Sequence, residues 1–123
     1  MSGAPGSMAG VTAWMCDADG PPLDGERAAT DMIGEAYGSD AQLVVIPVGR
    51  LGPGFLTLST RIAGEVIQKF VNYGFQVAFV GDISEATSAS DALRDFVRES
   101  NRGRHVWFLA DMDALEAKLS VGA

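Results

Sequence analysis

Three runs of four apolar residues, Leu43-Val44-Val45-Ile46, Val77-Ala78-Phe79-Val80 and Val106-Trp107-Phe108-Leu109, constrain this chain more than any other feature. None alternates with polar residues, so each reads as a strand covered on both faces and belongs in the interior of a sheet. Their flanks extend them to Gln42–Pro47, Phe75–Gly81 and His105–Ala110. A fourth run, Val11–Cys16, alternates and suits an edge strand with one wetter face.

Helical periodicity fills the intervals. Over about Leu23–Tyr37, Ala29, Met32, Ile33, Ala36 and Tyr37 share one face, with Asp24 placed to cap the start and Gly38 to end it. Over about Ser59–Tyr73 the inward set is Ile62, Ala63, Val66, Ile67 and Phe70; Gly74 stops this helix and Gly64 permits close packing on the sheet. A third pattern, Ser88–Asn101, turns Ala89, Leu93, Phe96 and Val97 inward with Ser88 or Ser90 as cap, and a fourth follows Asp111 with Met112, Leu115 and Leu119. The order βαβαβαβα requires right-handed crossovers between parallel strands. The expected fold is therefore α/β, a single-layer, mostly parallel or mixed four-stranded sheet, with a small Rossmann-like three-layer sandwich as the alternative.

At 123 residues the chain fits one domain, over 11–123, behind a loose tail over 1–10 whose small residues have little to bury. Nine Lys and Arg against sixteen Asp and Glu leave a net charge of −7, and the basic residues are scattered. Such a surface repels a polyanion, so nucleic acid is not an expected partner. Cys16 is the only cysteine, which rules out an intrachain disulfide or a cysteine-based zinc cluster and suits a reducing, cytoplasmic setting. With His105 alone no histidine-rich metal site forms, and no run of 18 apolar residues predicts a membrane span. The first ten residues carry neither the basic start nor the apolar stretch of a secretory signal.

Ligands of open α/β sheets collect beyond the carboxyl ends of the strands, which selects Val48–Leu58, Asp82–Ser88 and Asp111–Asp113. In the first loop Arg50 stands among three glycines, an arrangement that either cradles an anion or simply turns the chain. Asp82 is placed to hold a cation or a ribose hydroxyl, or to bond its own turn; joined by Asp111 or Asp113 it would make a magnesium site. Glu65, Gln68, Lys69 and Asn72 share a helix flank and form either a binding face or a solvated surface with a Glu65–Lys69 ion pair. Glu99 and Arg102 close the third helix, as ligand contacts or as charges that suit its C-terminal end. No nucleophile and base stand in a readable arrangement, so no catalytic residue, cofactor or metal is assigned.

The stretch Ala63-Gly-Glu-Val-Ile-Gln-Lys-Phe-Val-Asn-Tyr73, then Val80-Gly-Asp82, then Asp95-Phe-Val-Arg-Glu-Ser-Asn-Arg-Gly103, resembles the bacterial domain-of-unknown-function family 4180. The resemblance is tight over the last sixty residues and loose before them. It implies more strand sequence at the N-terminus and a longer entry to the first helix than the short Asp17–Gly25 connection provides. The element order is also similar to the anti-sigma-factor antagonist (STAS) fold, in which a regulatory Ser begins the helix after a central strand. Ser59, in Thr57-Leu58-Ser59-Thr60, stands at that place without the Asp and Gly of the usual motif. The expected function is a non-enzymatic regulatory module that binds another protein or self-associates. The alternative is a small-ligand or phosphate-binding domain, or an enzyme, using the rim around Asp82 and the 48–58 loop.

Overall fold

A computed structural model describes residues 3–121 of the protein. Five strands, β1 Gly3–Met8, β2 Val11–Cys16, β3 Leu43–Pro47, β4 Gln76–Val80 and β5 Val106–Leu109, form one sheet in that order. β1 runs antiparallel to β2, and the other neighbours are parallel. The helices are α1 Glu26–Tyr37, α2 Ile62–Asn72, α3 Ser84–Ala89, α4 Asp91–Arg102 and α5 Met112–Val121. Among the described residues no helix is long and apolar enough to cross a membrane.

Consecutive parallel strands joined by right-handed crossovers send their helices to one face. There Trp14, Val44, Ile46, Val77, Phe79 and Phe108 of the sheet meet Met32 and Ile33 of α1, Val66 and Phe70 of α2 and Phe96 of α4. The opposite face, Ala13, Leu43, Val45, Ala78 and Trp107, packs on Leu115 and Leu119 of α5. The central runs lack alternation for this reason: both faces of each strand have apolar cover.

The sheet has five strands where the pattern predicts four, because Gly3–Met8 forms β1 and not a loose tail. Ala9 and Gly10 join it to β2 with φ of 51° and 80°, a two-residue turn whose twist suits a hairpin. The small residues of β1 carry little hydrophobic signal, yet they are needed: a Cβ on Gly3 would lie 2.6 Å from Nε1 of buried Trp14. Residues 1 and 2 of the expected tail lie outside the described residues.

Two strand placements change accordingly. Val11–Cys16 is not an edge strand, since β1 lies outside it, and the third apolar run, β5, is an edge and not interior. Covered faces make a strand apolar, whereas a neighbour within the sheet plane leaves no trace in its side chains. On β5 the missing neighbour is replaced by the side chain of Asn101, which accepts a hydrogen bond from the Phe108 N–H at 2.7 Å and donates to the Phe108 carbonyl at 3.1 Å. Two further bonds hold the end of α4 in place: Trp107 Nε1 donates to the Gly103 carbonyl at 2.9 Å, and Lys118 of α5 donates to the Asn101 carbonyl at 2.9 Å. The Lys118 ammonium also lies 5.2 Å from the Trp107 ring centroid.

The helices start and stop near their predicted limits, except that α2 begins at Ile62 behind a 3-10 turn over Leu58–Thr60 instead of at Ser59 and Ala89 is exposed instead of inward, and there are four further differences. The third helix is two, because Ser90 is extended (φ −144°) and caps α4 by accepting from the Leu93 N–H at 3.2 Å. Leu23 lies outside α1, buried in a bridge with Leu51, so the helix starts at Glu26 and Asp24 does not cap it. Tyr37 is 60% exposed instead of facing the core. Gly64 faces outward instead of packing on the sheet.

Candidate functional site

At the carboxyl ends of the strands, Arg50, Asp82 and Asp111 are each tied to nearby backbone. Arg50 follows β3 in a 3-10 turn, Val48–Arg50, and is 3% exposed. A guanidinium taken from water must keep its hydrogen bonds. Its Nε donates to the Pro21 carbonyl at 2.7 Å and its Nη1 to the Asp17 carbonyl at 2.8 Å. Any side chain at Gly20 would collide with it. Backbone bonds from Leu23 N–H to Arg50 and from Gly52 N–H to Leu23 complete a seam between the loops that follow β2 and β3. The loop thus wraps an arginine and does not present one.

Asp82 is fully exposed and accepts from the Ser84 N–H at 2.8 Å, an Asx turn that starts α3. Hydrogen bonding from Ser84, side chain and backbone, holds its carboxyl below the ordinary carboxylate value. Gly81 before it has φ of 146°, and a side chain there would strike Val48. Asp111 likewise caps α5 by accepting from the Ala114 N–H at 2.8 Å. Among the described residues no group of three His, Cys, Asp or Glu side chains is placed to hold a metal ion, so Asp82, Asp111 and Asp113 do not form a three-carboxylate site.

Cys16, at the end of β2, is buried. Desolvation pushes its thiol up to about 12, against an opposing pull from Arg50. It stays protonated at neutral pH and is a poor nucleophile.

The side chains that do come together lie on α2. Its inward face is Ala63, Val66 and Phe70, which leaves Glu65, Gln68, Lys69 and Asn72 on the outer side. These four, with Gly64, line an open groove of about 610 Å³. Leu58 and Arg61 close one end, while Glu26 from α1 and Phe96 from α4 complete the lining. Arg61 adopts φ of 66° at the helix entry, and Thr60 fixes that entry by donating to the Gly54 carbonyl at 2.7 Å and accepting from the Ile62 N–H at 3.3 Å. Gln68 donates to Asn72 at 2.8 Å, but Glu65 and Lys69 do not close the expected ion pair. Both charges therefore remain available to a partner.

Beside the groove in sequence, at the C-terminal ends of α1 and α2, stand the exposed large apolar side chains of the described surface, Tyr37 (60%) and Tyr73 (48%). Their rings meet edge to face at 6.3 Å, and Tyr37 also meets Phe75 at 5.8 Å.

Of the residues expected to form a site, Glu65 and Lys69 share the groove and exposed Ser59 sits at its border without lining it. Arg50 lines a separate cavity of about 70 Å³, and Asp82 belongs to neither space. Glu99 and Arg102 pair with each other at 3.4 Å on the outer side of α4, the last of three ion pairs after Asp91–Arg94 and Asp95–Arg98. Glu26, Arg61 and Phe96 carried no local signal, since they reach the groove from three different elements. Around the Asp17–Pro21 turn a second depression of about 650 Å³ gathers Asp17, Asp19, Asp31 and Glu35.

The sequence model of the family described as Domain of unknown function (DUF4180) matches residues 8–119. No curated protein matches the chain, and no solved structure does. The match spans most of the sequence and begins at the last residue of β1. The chain belongs to the DUF4180 family.

Proposed function

We propose that this DUF4180 member is a small, non-enzymatic cytoplasmic module that binds another protein, or a second copy of itself, through the groove on α2. One observation carries the reading: Glu65, Gln68, Lys69 and Asn72 converge on an open groove with unpaired charges of both signs, whereas Arg50 is spent on the loop after β2 and Asp82 on its own turn. A wide, open, mixed-charge surface with tyrosines nearby suits a polypeptide better than an enclosed small substrate. A run of consecutive parallel strands behind an antiparallel first strand further supports a STAS-like topology.

Charge reversal tests the reading. Lys69→Glu, at a half-buried position, and Glu65→Lys, at an exposed one, both change the outer side of α2, and each is expected to weaken binding at least about tenfold, the effect of roughly 1.4 kcal/mol lost at a contact. Sedimentation measures self-association, and affinity capture compares the variants with the native protein for each partner retained. A protein that is monomeric at every concentration, and whose retained partners ignore both reversals, defeats the proposal.

A further inference from the structure

The charges that line the groove on α2, Glu26, Arg61, Glu65 and Lys69, cancel, although the whole chain carries a net charge of −7. A second copy meets no net local repulsion at this place. Among the described residues none of Arg61, Glu65 and Lys69 closes an ion pair within the chain. Gly64 faces outward in the same helix, with nothing within 4 Å of where a Cβ would stand. Glycine weakens a helix interior, and the chain's own packing does not require it here.

We infer that the groove receives α2 of a second copy, laid antiparallel about a two-fold axis level with Ile67, an occupancy that rests on the groove being the binding surface. In such an isologous pair, residues equally far before and after the axis stand level with each other. Glu65 lies two residues before Ile67 and Lys69 two after, so each chain's Glu65 stands level with the other's Lys69, and the contact is made twice. Four residues apart on one helix, the two side chains share a flank and can meet their counterparts on the same side of the contact. Arg61 lies six residues before Ile67 and Tyr73 six after, so the same register sets a cation level with an exposed ring. Gly64 lets the two helices draw close. A parallel two-fold pair would set Glu65 against Glu65 and Lys69 against Lys69, which repel; the order of signs along α2 selects the antiparallel one.

Sedimentation of the full chain at one ionic strength tests the pairing. Glu65→Lys leaves two positive charges at the contact and Lys69→Glu two negative ones, and each alone is expected to self-associate at least about tenfold more weakly than the native chain. Because Glu65→Lys also reduces the net negative charge of the chain, its loss reads the local contact and not overall repulsion. An equimolar mixture of the two variants places opposite charges at both contacts and should recover association to within about threefold of native, as should the two changes combined in one chain. A native chain that does not self-associate overturns the antiparallel pair, and so does association indifferent to the single reversals. A mixture or combined variant no tighter than the single variants overturns it as well. If the native chain retains a different protein that both reversals release, the groove remains the binding surface and the second copy alone is excluded; if no binding of any kind responds, the reading of the groove falls with it.

Discussion

At one margin of the sheet β1 turns Gly3, Pro5 and Ser7 outward; at the other β5 turns out Val106 and Phe108. The assignment for β1 follows from its hairpin: Met8 and Val11 close the two-residue turn as a bonded pair, so alternate residues back from Met8 bond to β2 and those between face away. Pro5 therefore stands where a neighbouring strand would seek an N–H, and has none to give. On β5 the donor exists but is occupied by Asn101. Both devices discourage the same unwanted pairing. One does so by covalent structure, and the other by a side chain of α4 that fills both outward groups of Phe108.

Four measurements order themselves by how hard they strain this contrast. Asn101→Ala strands both polar groups of Phe108 and is expected to cost about 2 kcal/mol, read from denaturant unfolding, with faster amide exchange at Phe108. Gly3→Ala pushes a methyl against Trp14 and the Met15 carbonyl; a cost of about 1–2 kcal/mol and a changed near-UV signal from Trp14 are expected. Because Gly3 lies opposite Cys16, the same variant should speed the reaction of Cys16 with a thiol reagent, whereas Asn101→Ala should not.

The third measurement uses pH. Below the ordinary thiol value of 9.0, Cys16 is protonated in both the folded and unfolded chain and contributes no pH dependence. Above it the unfolded chain loses its proton first, so stability should fall as pH rises from 9 to about 12. Cys16→Ala should remove that part of the slope. The smallest effect belongs to Pro5→Ala, which restores an outward donor. Its stability should stay within about 0.5 kcal/mol of native, and self-association should rise slightly.

The parallel core was legible because the runs at 43–46, 77–80 and 106–109 are apolar on both faces, and because Gly74 and Ser90 act locally. The edges were not. Whether β5 has a neighbour in the plane depends on Asn101, seven residues away and on another element. β1 is a strand of small residues held by a backbone ladder and a turn, with almost no hydrophobic signature. Of the candidate site, the flank of α2 could be read because helical spacing groups Glu65, Gln68, Lys69 and Asn72. The burial of Arg50 could not, since the carbonyls that its Nε and Nη1 reach lie 29 and 33 residues earlier, and every residue type supplies a carbonyl.

That last point bears on how the molecule can change. The oxygens gripped by Arg50 belong to the main chain, so the tether is indifferent to what Asp17 or Pro21 carry as side groups. New chemistry can be written onto the stretch after β2 while its path stays put, provided position 20 keeps its glycine and position 50 its arginine.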